Sequence, residues 1–377
     1  MDVKTRVRPV LKQIKTATYV CNPKEKLLEY GVSLDDVIDC SLGINPYGCS
    51  PMVKNGITDI DWDRLSKYPD ISYADLKRGI IEFWNDTTEL KEDDVFFGSG
   101  AAGVLVNLNN IFIEKGSKVL GYSPQFSENV NIVSIFGGKY DFVPLNEKDG
   151  FSFDEEGFLN AINASYNVIY IDNPNNPTGQ IINLGAIEKI LKKAAQFGIP
   201  VIIDEAYGDF MEKANSAIAL CGDYDNLVVV RSFSKGLGLA NIRLGYAIIK
   251  SDIKEYYNMV NIPPFVYSDI LVNAALQALR DKAFLAESRR QIRMSKEKLI
   301  LACKDRFFVS KTAMEVPIIV LGNPDKTVNL YDMLLKKGVI TAAGAEFPGM
   351  GENYVRLRVP KQIDMVLERL DNFNSLF

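Results

Sequence analysis

One segment of the sequence, from Val228 to Gly245, combines residue types that together could carry out chemistry on an amine. Its first three residues are β-branched and predict a buried strand. Ser232-Phe-Ser-Lys235 follows, and then come two glycines and Arg243. A lysine just after the end of a buried strand is expected to be partly desolvated. Desolvation lowers the pKa of its amine and makes it a usable nucleophile.

The residues around Lys235 suit a second task, which is holding a phosphate. Ser232 and Ser234 on one side and Arg243 on the other supply hydrogen-bond donors for a doubly charged group. A lysine nucleophile beside a phosphate clamp is what pyridoxal 5′-phosphate (PLP) requires, because this cofactor carries an aldehyde and a phosphate. Taken alone, the segment also fits a strand followed by a glycine-rich loop with a solvated lysine.

Length and composition limit the classes of protein to be considered. The 377 residues are enough for two domains, and the net charge of −5 (43 basic against 48 acidic residues) predicts no basic field for nucleic acid. We find no apolar run long enough to span a membrane and no signal peptide at the N-terminus. Five cysteines without a Cys-x-x-Cys spacing indicate neither a disulfide framework nor a zinc site, and we expect a cytoplasmic protein.

The sequence contains no histidine. Catalysis by Ser-His-Asp or Cys-His groups is therefore excluded, and so are the usual histidine-bearing metal sites. Proton transfer has to use lysine, tyrosine, a carboxylate or water. We accordingly predict no metal and favour chemistry centred on a lysine.

Four short apolar strands end in polar residues, and helical patterns alternate with these strands. The polar segments are Gly98–Ala102, Asn173–Asn176, Asp204–Tyr207 and Ser232–Lys235. The alternation predicts an α/β fold with a mostly parallel sheet covered on both faces, in which ligands bind beyond the carboxyl ends of the strands. A carboxylate such as Asp204, placed after three apolar residues, needs a partner; a pyridinium N–H or a backbone amide would serve. The four strand ends together predict a binding site.

The pattern also predicts three parts of the chain. Residues 1–45 read as an N-terminal arm associated with the small domain, 46–275 as the large binding domain and 276–377 as a small α+β domain. In the last part, Leu276–Ala302 predicts a long amphipathic helix or a pair of helices, followed by short alternating strands and helices.

At this point the motifs resemble those of a known family. Asn-Asn-Pro-Thr-Gly at 175–179, Asp-Glu-Ala-Tyr at 204–207 and Ser-Phe-Ser-Lys at 232–235 occur in the order found in class I/II aminotransferases, which are PLP-dependent enzymes of fold type I. Within that group, the chain looks most similar to the branch of histidinol-phosphate aminotransferases and threonine-phosphate decarboxylases. The resemblance runs from Asn45 to Arg356. It implies a large domain with a mostly parallel sheet of the seven-stranded type and a small C-terminal α+β domain.

The resemblance assigns roles at the cofactor ring. Lys235 would form the internal aldimine and shuttle the Cα proton, while Asp204 would pair with the pyridinium nitrogen and keep the ring an electron sink. Asn176 and Tyr207 would hydrogen-bond the phenolic oxygen of the ring. Phe126 would stack on the ring face. In this interpretation Lys235, Asp204 and Tyr207 are the catalytic residues.

The same resemblance assigns the phosphate and the substrate. The phosphate would be held by Ser232, Ser234 and Arg243 and by the backbone of Gly100, Ala101 and Ala102. Tyr68 is similar to the family tyrosine that reaches the cofactor of the neighbouring subunit, which implies a homodimer with shared active sites; a half-buried turn aromatic is the alternative. Arg356 and Asn45 would bind the substrate, with Arg356 clamping its α-carboxylate.

Two departures from the family pattern concern the substrate. Relatives that handle phosphorylated substrates carry an arginine where this chain has Ala342, and the decarboxylase-like His-Gly-Gly is replaced by Val20-Cys21-Asn22. Glu346 could face a cationic side chain of the substrate, or it could be an exposed glutamate of a turn.

The function expected from the sequence is a PLP-dependent aminotransferase that moves an amino group between an amino acid and a 2-oxo acid. A decarboxylase resembling the threonine-phosphate enzymes, or an elimination or cyclisation enzyme of a specialised biosynthetic pathway, is the alternative with the same cofactor. A non-catalytic PLP-binding module is the alternative of a different class. The expected partners are small molecules and a second copy of the chain, without nucleic acid or membrane.

Overall fold

A computed structural model of the protein describes residues 7–12, 23–58, 63, 66–262 and 267–371. The tripeptide Val20–Asn22, which stands in place of the decarboxylase-like motif, lies outside the described residues. Within them no helix combines the length and apolarity needed to cross a bilayer.

Helices and short strands alternate along most of the chain, as the sequence pattern predicts. The helices are α1 (Lys24–Glu29), α2 (Met52–Gly56), α3 (Ala74–Trp84), α4 (Gly100–Phe112), α5 (Ser127–Phe136), α6 (Glu155–Ala161), α7 (Leu184–Ala195), α8 (Ile253–Val260), α9 (Asp269–Arg280), α10 (Lys282–Cys303), α11 (Leu330–Leu335) and α12 (Ile363–Asp371). The strands are β1 (Ile38–Asp39), β2 (Val95–Ser99), β3 (Lys118–Ser123), β4 (Lys139–Pro144), β5 (Val168–Asp172), β6 (Val201–Glu205), β7 (Leu227–Ser232), β8 (Leu244–Ile249), β9 (Phe308–Val309), β10 (Ile318–Gly322), β11 (Val339–Ile340), β12 (Ala342–Ala343) and β13 (Tyr354–Arg358).

The large sheet has seven strands in the order β2-β8-β7-β6-β5-β3-β4. All neighbouring pairs are parallel except those that involve β8, which runs antiparallel to both β2 and β7. The central strands β5, β6 and β7 are buried throughout, which explains their continuous apolar sequences. The prediction of an α/β fold with a mostly parallel sheet is confirmed.

Helices cover both faces of this sheet. Residues that alternate along β5 and β6 belong to two different hydrophobic clusters: Ile169 and Ile203 pack with α3, α7 and α9, whereas Tyr170 and Ile202 pack with α4, α5 and α8. Because helices cover both faces of the sheet, the polar residues at the strand ends can be accommodated only at the carboxyl edge.

The C-terminal part forms a second, smaller sheet in the order β12-β13-β10-β9, with α10, α11 and α12 packed on one face of it. The predicted helical stretch from Leu276 is a pair of helices, since α9 ends at Arg280 and α10 begins at Lys282. The predicted boundary between 275 and 276 falls within α9, and the division into three parts remains a prediction. In the N-terminal part, β1 pairs in parallel with β11.

A buried lysine fixes the segment that joins the small sheet to the large one. Lys296 of α10 is fully buried, and its ammonium donates to the carbonyl oxygens of Val316 (2.7 Å) and Ile318 (2.8 Å). Burial lowers the pKa of this amine. The same segment donates from the Ala313 amide to the carbonyl of Gly179 (2.9 Å), the last residue of the Asn-Asn-Pro-Thr-Gly loop. The loop is thus held from the side of the small sheet.

Candidate active site

A cavity of about 510 Å³ opens at the carboxyl edge of the large sheet. Its walls come from the segments that follow β2, β3, β5, β6 and β7, which converge there because their strands are parallel. The residues lining it include Ala101, Ala102, Phe126, Asn176, Asp204, Tyr207, Ser232, Ser234, Lys235 and Arg243. The structure therefore brings most of the sequence-predicted site residues to one place.

One end of the cavity is built to receive an anion. Helix α4 begins at Gly100, so the backbone amides of Ala101 and Ala102 lie in its first turn, where helical N–H groups lack intrahelical partners. Gly100 has a positive φ of 70°, and a Cβ placed on it would come within 2.6 Å of the Arg243 guanidinium. Arg243 Nη1 also lies 3.4 Å from Ser234 Oγ. The guanidinium, the hydroxyl and the helix start thus surround one small volume.

Asp204 is the penultimate residue of the buried strand β6; it lines the cavity and is 4% exposed. Its carboxylate accepts from Tyr170 Oη (2.8 Å) and from the Ala206 amide (2.9 Å). Burial raises the pKa of Asp204 to about 6, and the nearby Asp172 adds to the rise, while Lys235 opposes it. A cationic donor in the cavity would stabilise the ionised form.

A second carboxylate, Asp172, lines the same cavity and was not singled out from the sequence. It accepts hydrogen bonds from five donor groups: Tyr122 Oη, Gln125 Nε2, Asn175 Nδ2 and the amides of Phe126 and Asn176, at 2.7–3.3 Å from the nearest of its atoms. Burial raises its pKa, and these donors oppose the rise. Asp172 therefore ties the loop carrying Phe126 to the loop carrying Asn176.

Tyr207 and Lys235 lie close to each other on the wall of the cavity. Lys235 Nζ is 5.3 Å from the centroid of the Tyr207 ring. The Tyr207 hydroxyl is buried, and it has no hydrogen-bond partner among the residues that the structure describes. A buried hydroxyl without a partner is costly, so a ligand atom that accepts from it would be stabilised.

Arg356 stands behind the wall formed by Asn176. It lies on β13 of the small sheet and is 7% exposed. Its Nη1 donates to Asn176 Oδ1 (2.9 Å), and its Nη2 donates to the carbonyl of Ser41. Its Nε is buried and lacks a partner within the described part of the chain. One guanidinium therefore joins the small sheet, the large sheet and the N-terminal segment at the edge of the cavity.

Two predicted site residues have other surroundings. Asn45 is 2% exposed, and its amide donates to the carbonyl of Gly236 (2.8 Å) and to Ser288 Oγ (3.1 Å). It thereby holds the backbone next to Lys235, while Leu42 and Ile44 of the same segment line the cavity. Tyr68 is 85% exposed and does not line the cavity.

A buried ion pair supports the two loops that carry Tyr207 and Lys235. Arg231, the residue before Ser232, donates from Nη1 to Glu205 Oε2 (2.9 Å) and from Nη2 to Asp209. All three side chains are buried. Burial raises the pKa of both carboxyls, and the guanidinium opposes that rise. These residues position the site without lining it.

Comparison with known proteins identifies the family of the chain. The family model of aminotransferases of class I and II matches residues 35–370. The chain belongs to this family. The resemblance inferred from its motifs is confirmed, and so is the cofactor it implied, because the chain is a PLP-dependent aminotransferase. The decarboxylase and elimination alternatives are not favoured.

Several relatives are histidinol-phosphate aminotransferases. One from Methanocaldococcus jannaschii is 28% identical over 99% of both chains, and one from Halorubrum lacusprofundi is 34% identical over 73% of both. Among solved structures, the histidinol-phosphate aminotransferase of Sinorhizobium meliloti in complex with pyridoxal-5′-phosphate covers 99% of both chains with a TM-score of 0.83 at 21% identity. The aspartate aminotransferase of Thermotoga maritima covers 98% of this chain and all of its own, with a TM-score of 0.83 at 20% identity. These structural likenesses establish the fold.

The residues around the cavity fit PLP. The unpartnered hydroxyl of Tyr207 can donate to an oxygen of the ring, and the anion-binding end can take the phosphate. Asp204, whose pKa is raised in the cofactor-free cavity, can accept from the ring nitrogen. In the part of the chain that the structure describes, no group of acidic residues and cysteines is arranged to hold a metal ion.

Proposed function

We propose that Lys235 is the lysine that carries the cofactor and moves the proton during transamination between an amino acid and a 2-oxo acid. The support is that Lys235, Asp204 and the anion-binding residues line one cavity together with Tyr207, whose hydroxyl has no hydrogen-bond partner among the described residues. The cofactor supplies an aldehyde that takes up the amino group and a ring that withdraws electrons from the substrate.

Each side chain of the cavity has a separate task in this proposal. Asp204 accepts from the ring nitrogen, and Tyr207 and Asn176 donate to the ring oxygen. Phe126 packs on the ring face. Lys235 would provide the amine nucleophile and the base for the Cα proton.

The phosphate occupies the anion-binding end of the cavity in this proposal. Arg243, Ser232, Ser234 and the first turn of α4, from Gly100 to Ala102, surround it. Since these groups come from two strand ends and one helix start, they would hold a bound phosphate from several sides.

Arg356 is the proposed ligand for the substrate carboxylate. Two cations, Lys235 and Arg243, line the cavity in the described part of the chain, and both are assigned to the cofactor. Arg356 at the cavity edge is then left for an anionic group of the substrate, and its unpartnered Nε can serve as one of two parallel donors. An amino-acid substrate, which carries a carboxylate next to its amine, fits this arrangement.

A homodimer is part of the proposal. Tyr68 and Ile71 are exposed in the segment before α3, and Tyr256, Met259 and Ile262 are exposed on and after α8. Large exposed apolar side chains in groups mark interaction surfaces. Since Tyr68 is exposed and does not line the cavity of its own subunit, a second copy of the chain is the partner whose cofactor it would reach.

A cytoplasmic location is also proposed. The cysteines at 40, 221 and 303 are buried as free thiols, and the thiol of Cys49 is exposed and free. Burial raises the pKa of the Cys40 thiol to about 12. Free thiols are typical of proteins that fold in a reducing compartment.

The assignment of Lys235 can be tested with Lys235→Ala and, as a matched control, Lys189→Ala. Lys189 is exposed and pairs with Glu155 (2.6 Å) far from the cavity. We expect the Lys235 variant to fold, to bind PLP without covalent attachment and to lose at least about 10³-fold in transamination rate, because nucleophile and base are both removed. Full activity of this variant would overturn the proposal.

The shared site can be tested by mixing two inactive variants, Lys235→Ala and Tyr68→Ala. A mixed dimer would contain one site with both residues intact, so activity is expected to return after subunit exchange. Activity that stays absent after verified exchange would contradict a site completed by Tyr68 of the second copy.

A further inference from the structure

We propose that the substrate side chain is cationic and is recognised by Glu128 and Glu346. This inference rests on the proposed function, because it assigns the part of the same cavity that faces away from the phosphate-binding end. Glu128 stands in the first turn of α5 and lines the cavity. Glu346 precedes the Phe347-Pro-Gly349 turn of the small sheet; it does not line the cavity, but it lies within electrostatic range of Glu128 and Arg356.

Two contacts fix the position of the turn that follows Glu346. A Cβ on Gly349 would come within 2.6 Å of Ser123 Oγ, so the turn lies against the end of β3, just before the loop that leads to α5. On its other side, the Arg356 guanidinium carbon is 5.4 Å from the centroid of the Phe347 ring. The turn that follows Glu346 therefore lies between the Arg356 guanidinium and the end of β3.

The charges in this region agree with that placement. Glu346 senses both the favourable charge of Arg356 and the unfavourable charge of Glu128, and burial raises the pKa of each glutamate. Neither carboxylate has an ion-pair or hydrogen-bond partner among the described residues. Glu128 is half-buried and Glu346 is exposed, and two like charges so placed repel each other and an incoming anion.

A cation placed between the two glutamates would relieve this repulsion. Within the described part of the chain, the hydroxyl of Tyr207 in this cavity and the Nε of Arg356 beside it have no hydrogen-bond partner, although both residues are more than nine-tenths buried; these two atoms indicate a ligand site. With the substrate carboxylate on Arg356, the side chain would extend past Glu346 toward Glu128. Ala342, the register partner of Arg356 on β12, contributes no charge there.

The test compares two amino donors of equal chain length. The holoenzyme is mixed with L-ornithine or L-norvaline, which differ in the terminal ammonium, and the rate at which the cofactor is converted to its amine form is measured against donor concentration. A charge-assisted hydrogen bond predicts a preference for ornithine of about tenfold or more. The double variant Glu128→Gln/Glu346→Gln is expected to lower this preference at least about tenfold.

Two further variants keep the test decisive. Glu156→Gln, at an exposed glutamate on α6, serves as the matched control and is expected to keep the preference of the wild type. Because Glu346 is exposed, Glu346→Lys is tolerated by the fold and is expected to favour a donor with an anionic side chain, such as L-glutamate, over ornithine. Thermal stabilisation by 5-aminovalerate compared with valerate gives a binding readout that requires no turnover.

The outcomes separate this inference from the proposed function. Conversion with norvaline as fast as with ornithine, or a preference that survives both glutamine substitutions, would overturn the cationic side chain and leave the aminotransferase assignment intact. Absence of conversion with every donor, L-glutamate included, would overturn the proposed function and this inference with it.

Discussion

Asp172 and Asp204 are register partners on the neighbouring strands β5 and β6, so two carboxylates share one buried edge of the sheet. They are solvated differently by the protein. Asp172 accepts from five donor groups, whereas Asp204 accepts from Tyr170 and the Ala206 amide. The donors around Asp172 oppose the rise in its pKa that burial causes, while Asp204, with fewer donors, retains room for a further one, the place where the cofactor ring nitrogen would bind.

The first prediction concerns the pH dependence of the cofactor-free protein. Burial raises the pKa of Asp204 to about 6 from the 3.8 of an exposed aspartate, so the folded state binds more protons than the unfolded state between these values. Stability contributed at this site is highest at low pH and is lost as pH rises toward 6. We expect the free energy of unfolding of wild type relative to Asp204→Asn to fall by about 2 kcal/mol between pH 4 and pH 7. Urea unfolding measures it.

The difference between the two proteins isolates Asp204 from the other buried carboxyls, which titrate in both. A wild-type minus variant difference that stays flat across this pH range would show that Asp204 is not held protonated in the empty cavity. With PLP bound, the wild-type loss is expected to shrink, because a ring N–H would stabilise the carboxylate.

The second prediction uses two tyrosines that differ in their partners. Tyr207→Phe removes a buried hydroxyl without a partner, so the cofactor-free protein should keep its stability or gain about 1 kcal/mol, while PLP affinity falls about tenfold. Tyr170→Phe removes the donor to Asp204 and should destabilise the cofactor-free protein by about 1–2 kcal/mol. Urea unfolding and PLP titration distinguish the two. Equal destabilisation by both substitutions would argue against a ligand role for Tyr207.

The third prediction concerns Arg356. Arg356→Lys keeps the charge but loses the fork that reaches Asn176 and the Ser41 carbonyl. We expect kcat/KM for amino-acid donors to fall about 100-fold, with PLP affinity changed less than about threefold. Arg358→Lys, two residues along the same strand, is the control. An equal loss in both variants would mean that the strand, and not the substrate contact, is affected.

The fourth prediction concerns Gly100. In Gly100→Ala the added methyl group meets a positive φ of 70° and the Arg243 guanidinium. Gly31→Ala carries similar backbone strain (φ 72°) with no atom within 4 Å. Both should lose about 1–2 kcal/mol of stability from the backbone. The Gly100 variant alone should lose affinity for PLP, which fluorescence or absorbance titration detects; retained affinity would place the phosphate elsewhere.

The features that could be predicted from the sequence are those that neighbouring residues determine. The apolar strands around Ile171, Ile203 and Val229 and the polar residues after them are readable because a strand buried on both faces must be apolar. The sequence also located the helix start at Gly98–Ala102, since glycines after a strand allow a sharp turn. Most of the cavity wall follows from these two signals.

Other features depended on register and strand direction, which no local pattern encodes. The reversal of β8 leaves the apolar stretch Leu244–Ile249 looking like any buried strand. Edge strand β4 is half exposed and alternates weakly, so Lys139–Pro144 was not predicted. Asp172 matters for the site because it lies beside Asp204 on the neighbouring strand. Glu128 matters because the fold brings the turn of Gly349 close to the end of β3. The signal for Asp172 was a carboxylate at the end of an apolar strand, the same signal that identified Asp204.

The pairing of β1 with β11 has a consequence for synthesis on the ribosome. Ile38 and Val339 are register partners, and the Ser41 carbonyl accepts from Arg356. The segment from Ile38 to Ser41 therefore cannot form these contacts until roughly 300 further residues have been translated. At translation rates of about 5–20 residues per second, that interval is on the order of 15–60 s. During this time the central strands of the large sheet can already pair, because they are complete near residue 249. The edge of the cavity at Arg356 is therefore assembled late, from one segment that is synthesised early and one that is synthesised about 300 residues later.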